Sequence, residues 1–324
     1  MIKKQTRVGE VSFITLENEY LKVELASYGA SLFHLYVKTP IGLNEVSVQP
    51  NDIDEFLTSD YYYGKTVGRT AGRIFGPTYD IDDVTYFLNE EVLLHSGEGG
   101  FSFKHFDILE FHQEKVIFQA VSYEDEGPYD GVLTLQASYE LKGNTLIMGH
   151  RAQTTMPTLC NITNHVYLNL DQQKTIRNQN ITIDSDTYLH IDDQNKVMYV
   201  SDVSNSPFDF RQSTPFAGHL DNMMDTSFKG FDHTFLLNEN KKLIVSSDTI
   251  KMTLETSYPA VVLYTHNKVS PHELIHEKIN DNRHIAFTVE CQFEPGGVQV
   301  EGLNAAILRP GETYEHFIAL EFES

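Results

Sequence analysis

"VLTLQASYELKGNTLIMGHRA", residues 132–152, alternates apolar and polar positions with a period of two. Leu133, Leu135, Ala137, Tyr139 and Leu141 share one face, against Thr134, Gln136, Ser138 and Glu140 on the other. Lys142-Gly143-Asn144 supplies a turn and a second strand follows. Successive side chains of a strand point to opposite faces, so the spacing predicts a hairpin with one face in a core. The same period returns in "LKVEL" (Leu21, Val23, Leu25) and "TIKMTLETS" (Ile250, Met252, Leu254). No stretch sustains a helical period beyond a few turns, and no βαβ alternation is visible. The expectation is an all-β fold: large antiparallel sheets with few short helices, one domain over residues 1–324.

Composition agrees. The chain has 20 Phe and 17 Tyr but no Trp, a bias that favours strands. With 46 acidic and 24 basic residues the formal net charge is −22, which repels phosphate backbones and anionic lipid. Nucleic acid and membrane are therefore excluded as expected partners. The N-terminal stretch lacks an apolar signal-like segment, and no run approaches the length of a membrane span. The cysteines, Cys160 and Cys291, are too few and too far apart for a disulfide framework. They are expected as reduced core thiols of a cytoplasmic protein.

Several stretches carry chemistry-bearing residues. "SPHELIHEKIN", residues 270–280, contains a literal H-E-x-x-H, the zinc-binding spacing of metallohydrolases. Ser270, Pro271 and Glu273 suit a capped start, so a short capped helix or turn is expected here. A catalytic zinc site also needs a longer helix, a third ligand and an open coordination position. Glu294 and Glu301 lie at or beyond the end of a strand, so no metal is expected.

That strand is "RHIAFTVECQFEPGG", residues 283–297. Ile285, Phe287, Val289, Cys291 and Phe293 face one way; His284, Ala286, Thr288, Glu290 and Gln292 face the other. Glu290 is either solvated on an outer face or aimed into a cleft. "CNITNHVYLNL", residues 160–170, has the same character, with His165, Tyr167 and Asn169 opposite Val166, Leu168 and Leu170. "YYYGKTVGRTAGRIFG", residues 61–76, sets Arg69 and Arg73 among four glycines without matching a nucleotide-binding pattern. It predicts a closely packed loop with an arginine pointing into a pocket. His95 precedes a Gly-rich turn, and "FKGFDHTFLL" places Asp232 and His233 in a turn ahead of an apolar strand.

In order, Arg73, His95, "NITNHVYLNL", Asp232 in "GFDHTFLL", "YTHN" at 264–267, "TVECQ" and "LRPGETYEH" at 308–316 resemble the aldose 1-epimerase (galactose mutarotase) family from about residue 20 onward. The resemblance implies a galactose mutarotase-like β-supersandwich with a cleft on one side. It implies an isomerase acting on a small neutral monosaccharide, a free hexose of the galactose or glucose type. Glu290 would be the base at the anomeric hydroxyl and His165 the acid at the ring oxygen. Arg73, His95 and Asp232 would bind hydroxyls, and Tyr167 would line the cleft. The chemistry needs one acid and one base that swap roles on reclosure, and no metal or organic cofactor. A monomer or homodimer is expected.

The chain departs from the family where many members carry Asn before the cleft arginine and Gln before the Y-T-x-N piece; here Gly72 and Val262 stand there. Ser96 and Phe106 replace a common Gly and Trp. The alternatives are an epimerase of a hexose 6-phosphate, a non-catalytic sugar-binding protein and the zinc hydrolase. A phosphate site would want more clustered Arg and Lys; a binding protein would be expected to lack Glu290 or His165.

Overall fold

The computed structural model describes residues 1–171, 174–275 and 282–324. The 132–152 hairpin forms as the strands Leu133–Lys142 and Thr145–Thr154, paired antiparallel from Leu133↔Thr154 to Lys142↔Thr145. Gly143 takes φ +58 in the two-residue turn, a conformation glycine enters without steric cost. This hairpin sits inside a nine-stranded sheet whose order is 107–111, 115–122, 133–142, 145–154, 314–323, 251–256, 242–246, 180–183 and 214–215. A six-stranded sheet follows the order 167–168, 287–292, 260–264, 232–236, 187–191 and 197–202. A five-stranded sheet is made from residues 2–45. The ladders in all three are antiparallel.

One continuous apolar cluster joins them. It contains Leu25 and Leu35 of the five-stranded sheet, Leu135, Met148, Leu254 and Leu320 of the nine-stranded sheet, and Leu263, Val289 and Cys291 of the six-stranded sheet. Among the described residues the α-helices are Ile53–Thr58 and Phe216–Met223. The second buries Phe216, Leu220 and Met223, one stripe at helical spacing. No described helix is long and apolar enough to cross a membrane. Cys160 and Cys291 are buried free thiols.

Alternation gives the six-stranded sheet two unlike faces. Val261, Leu263, Phe287, Val289 and Cys291 enter the core. Val262, Tyr264, Asp232, Thr234, Glu290 and Gln292 line a cavity on the other side.

Two expectations need correction, and a third is decided between its alternatives. Of the capped helix or turn expected from Ser270, residues 270–275 take bends and a turn and no helix: Leu274 bridges Pro50, Ile275 N donates to Gln49 O, and Asn51 N donates to Glu273 O. Ser270 Oγ accepts from His272 N two residues on, and the Ser270 backbone is held by the Asn282 amide from both sides. Local hydrogen bonds and the 49–51 edge thus outcompete a helix. His276, the second histidine of the H-E-x-x-H, and residues 277–281 lie outside the described residues. Residues 160–170 are not one strand but two short ones, Thr163–Asn164 and Tyr167–Leu168, with different partners. Asp232 and His233 belong to the strand Asp232–Leu236, not to a preceding turn.

Candidate active site

The cavity on the open face of the six-stranded sheet has a volume of about 360 Å³. His165, Glu290, Arg73, His95, Asp232 and Tyr167 all line it, so the structure brings all six residues together.

His165 stands where the chain changes partner. Thr163–Asn164 pairs with Thr66–Val67, and Tyr167–Leu168 pairs with Phe287 and Thr288 of the Glu290 strand. Between them the His165 backbone is pinned to the glycine-rich loop: its N donates to Lys65 O and its O accepts from Gly64 N, both at 2.9 Å. Gly64 has φ +64, and a Cβ there would lie 1.8 Å from Leu32 O, so the approach requires glycine. Glu290 occupies the middle of the strand Phe287–Gln292 and faces Val262 across the ladder.

His165 Nε2 and Glu290 Oε1 are 3.4 Å apart, with both side chains almost fully buried. Thr288 Oγ1 donates to the same carboxylate oxygen at 3.3 Å. Burial raises the Glu290 carboxyl to about 8; the negative charge of Asp232 adds to this, while Arg73 and Thr288 oppose it. Burial lowers His165 to about 4, against the opposing pull of Asp232. Both shifts have one leading cause: removal from water disfavours whichever form is charged. Both shifts favour the uncharged forms, a protonated carboxyl beside a neutral imidazole.

His95 lies in the left-handed region, φ +52. Its N donates to Gly72 O at 2.9 Å, and Gly72 N donates to its Nδ1 at 3.2 Å. A backbone N–H can only donate, so Nδ1 carries the lone pair and the proton sits on Nε2. Burial holds the ring neutral, well below the usual histidine range. The His95 and His165 rings meet edge to face with centroids 5.5 Å apart. With Glu290 they form a cluster whose ligand-type atoms lie within 4.8 Å of one another.

Arg73 contacts Asp232 through a single guanidinium nitrogen at 3.3 Å, both half-buried. Tyr167 donates its hydroxyl to Tyr61 O at 3.0 Å and offers the cavity its ring. Arg69 is elsewhere. It is 1% exposed and points into protein, where its donors meet Ser122 Oγ and O, Thr158 Oγ1, Asp130 O and Gly131 O. The glycine-rich loop thus sends one arginine to the cavity and one to the interior.

The departures at positions 72 and 262 have local consequences. Gly72 has φ +78, and Pro295 fills the space where a side chain would go, 2.5 Å from a Cβ. Val262 presents a methyl-bearing wall opposite Glu290. The sequence reasoning also missed cavity-lining Tyr62, Phe75, Tyr264, Lys196 and Lys268. Two cavity-lining residues carried a signal: Tyr264 as the first residue of "YTHN", and Gln292 through the alternation it shares with Glu290.

A sequence model of the aldose 1-epimerase family matches residues 12–321. The galactose mutarotase of Homo sapiens is 30% identical over 327 residues, covering 97% of this chain and 94% of that protein. Among solved structures, an aldose epimerase homologue from C. elegans superposes with a TM-score of 0.89 at 25% identity, covering 97% of this chain and 99% of that one. A galactose 1-epimerase from Lactobacillus acidophilus gives 0.85 at 25% identity, covering 99% and 97%. With nearly the whole chain matched, this protein belongs to the aldose 1-epimerase family, isomerases that interconvert the anomers of a hexose.

Proposed function

We propose that His165 and Glu290 are the acid/base pair that opens and recloses the ring of a free hexose of the galactose or glucose kind. The observation carrying this is the buried 3.4 Å apposition of His165 Nε2 and Glu290 Oε1 at the cavity wall. Anomer exchange removes the proton from the C1 hydroxyl, breaks the bond between C1 and the ring oxygen, and puts a proton on that oxygen. The open aldehyde turns about C1–C2, and the reverse steps close the ring on its other face. The two oxygens are bonded to the same carbon, so adjacent acid and base groups reach both from one side. Geometry of this kind favours direct proton transfer.

The proton count also fits. One proton enters the pair from the hydroxyl and one leaves to the ring oxygen, so the pair regains its starting charge. In the active arrangement Glu290 is the carboxylate base and His165 the imidazolium acid. The resting proton must first pass from Glu290 to His165; the negative charge of Asp232 holds protons on both groups, while Arg73 favours the ionised Glu290. On reclosure the two exchange roles.

Around them Arg73 and Asp232 form a donor–acceptor couple suited to hydroxyls. His95 offers Nε2–H. A neutral sugar is the substrate proposed: Arg69 has its donors engaged and Asp232 stands beside Arg73, and a sugar phosphate would have to rely on Lys196 and Lys268, the other cations lining the cavity. Polarimetry on freshly dissolved α-galactose and α-glucose tests this. The chain should speed the approach to equilibrium rotation. Glu290→Ala and His165→Asn should each slow it by about 10²–10⁴-fold. A variant at wild-type rate overturns the assigned role, and no acceleration of either sugar overturns the substrate.

A further inference from the structure

Gln292 lies on the cavity face of the strand that carries Glu290, two residues further on, and is 0% exposed. It lines the cavity, yet neither Oε1 nor Nε2 has a hydrogen-bond partner. Among the described residues it is the one side chain with two such buried orphan atoms. The neighbouring strand gives it nothing polar: Ala260 stands opposite it and Val262 opposite Glu290. Nor is Asn161 available, since its amide is closed onto the N and O of Phe293. Gln179, equally buried but outside the cavity, shows the ordinary outcome: its Nε2 bonds Asn169 and Asp171, and its Oε1 accepts from Leu170 N. A buried amide with both ends open is destabilising unless a partner arrives.

We infer that Gln292 is a sugar-contacting, specificity-determining residue of this cavity, whose amide accepts from one ring hydroxyl and donates to another when a hexose binds. The inference rests on the hexose reading above. It assigns to Gln292 a part in substrate binding, distinct from the proton transfer at His165 and Glu290. An amide suits this task because it both donates and accepts without titrating. Its orphan state in the free protein means that the sugar displaces no internal bond.

The test uses Gln292→Met, which keeps the length and removes the polar atoms, and Gln292→Ala as a second variant. KM for the hexose should rise about tenfold in Gln292→Met while kcat changes less than about twofold, as for a contact made equally in ground and transition states. The melting temperature of the free variant should equal or exceed that of the wild type, because an orphan amide has been removed. The stabilisation produced by saturating hexose should shrink. Across a series of monodeoxy hexoses, the wild-type penalty at one or two positions should vanish in the variant. A lower melting temperature with unchanged KM would assign the amide to an internal water or to packing and overturn the inference. So would deoxy penalties identical in variant and wild type. If the wild-type chain is stabilised by hexose but does not mutarotate it, the catalytic reading fails, and the melting shift still decides the role of Gln292.

Discussion

Arg69 and Arg73 leave the same glycine-rich loop four residues apart and meet opposite fates. Arg69 is enclosed, with five hydrogen bonds to side chains and carbonyls and the Tyr129 ring 5.0 Å from its guanidinium carbon. Arg73 stands half-buried at the cavity, with a lone contact to Asp232 at 3.3 Å. The first has every donor satisfied by the fold. The second keeps donors free for something the fold does not contain. The same contrast separates Gln179 from Gln292. Arg69 and Gln179 have complete bonds in the interior, whereas Arg73 and Gln292 keep open ones at the cavity.

The sharpest way to break that contrast is to exchange the effects of the two arginines. Arg69→Ala should destabilise the protein by at least about 4 kcal/mol, because it strands several buried acceptors at once. The denaturant midpoint, at unchanged slope, measures this. Arg73→Ala should stay within about 1 kcal/mol of wild-type stability yet lower kcat/KM by roughly 10–100-fold. If Arg73→Ala unfolded the protein, or Arg69→Ala left its stability intact, the distinction would collapse.

Glu290 should behave as a group that opposes folding once ionised. Its carboxyl is raised from 4.5 to about 8 in the folded chain, so the folded state binds the extra proton between those values. Stability is then highest on the acid side of that window and declines as pH rises through it, before levelling above about 8. Glu290→Gln cannot ionise. Its stability relative to wild type should therefore increase across the same window, by on the order of a few kcal/mol, while its activity is lost. Melting temperatures of both proteins across pH decide this; an advantage that shrinks with rising pH contradicts it.

The activity itself should follow the proton shared by the pair. His165 at about 4 and Glu290 at about 8 bound the range in which the two groups together hold one proton. The expected profile of kcat/KM is a bell with limbs near those values, which belong to the pair and not to either residue alone. The smallest effect is expected at the most conspicuous motif. His272 meets Glu55 at 3.4 Å near the surface, so His272→Ala should change stability by less than about 0.5 kcal/mol. It should leave mutarotation unchanged, as should a chelator.

What the sequence revealed follows from what is local. Period-two alternation placed Glu290 and Gln292 on one face and Phe287, Val289 and Cys291 on the other, because strand geometry alone decides that. It also located the 133–154 hairpin and its turn. The fates of Arg69 and Arg73 were not legible, because the loop that carries them is oriented by residues 122, 130, 131 and 158, far along the chain. The break at His165 was hidden for the same reason: alternation runs smoothly through 160–170, while the switch of partner depends on residues 66, 67, 287 and 288. The capped start at Ser270 was a correct local signal defeated by hydrogen bonds from Asn282 and the 49–51 edge.

The strand Tyr314–Glu323 lies between Thr145–Thr154 and Lys251–Thr256, at the centre of the nine-stranded sheet. It is thus a keystone supplied from the far end of the described chain. Without it the sheet is two separate leaves, each with a bare hydrogen-bonding edge exposed along its full length. Such edges recruit foreign strands. A chain shortened by these ten residues should aggregate, although the missing segment contributes none of the six residues gathered at the cavity.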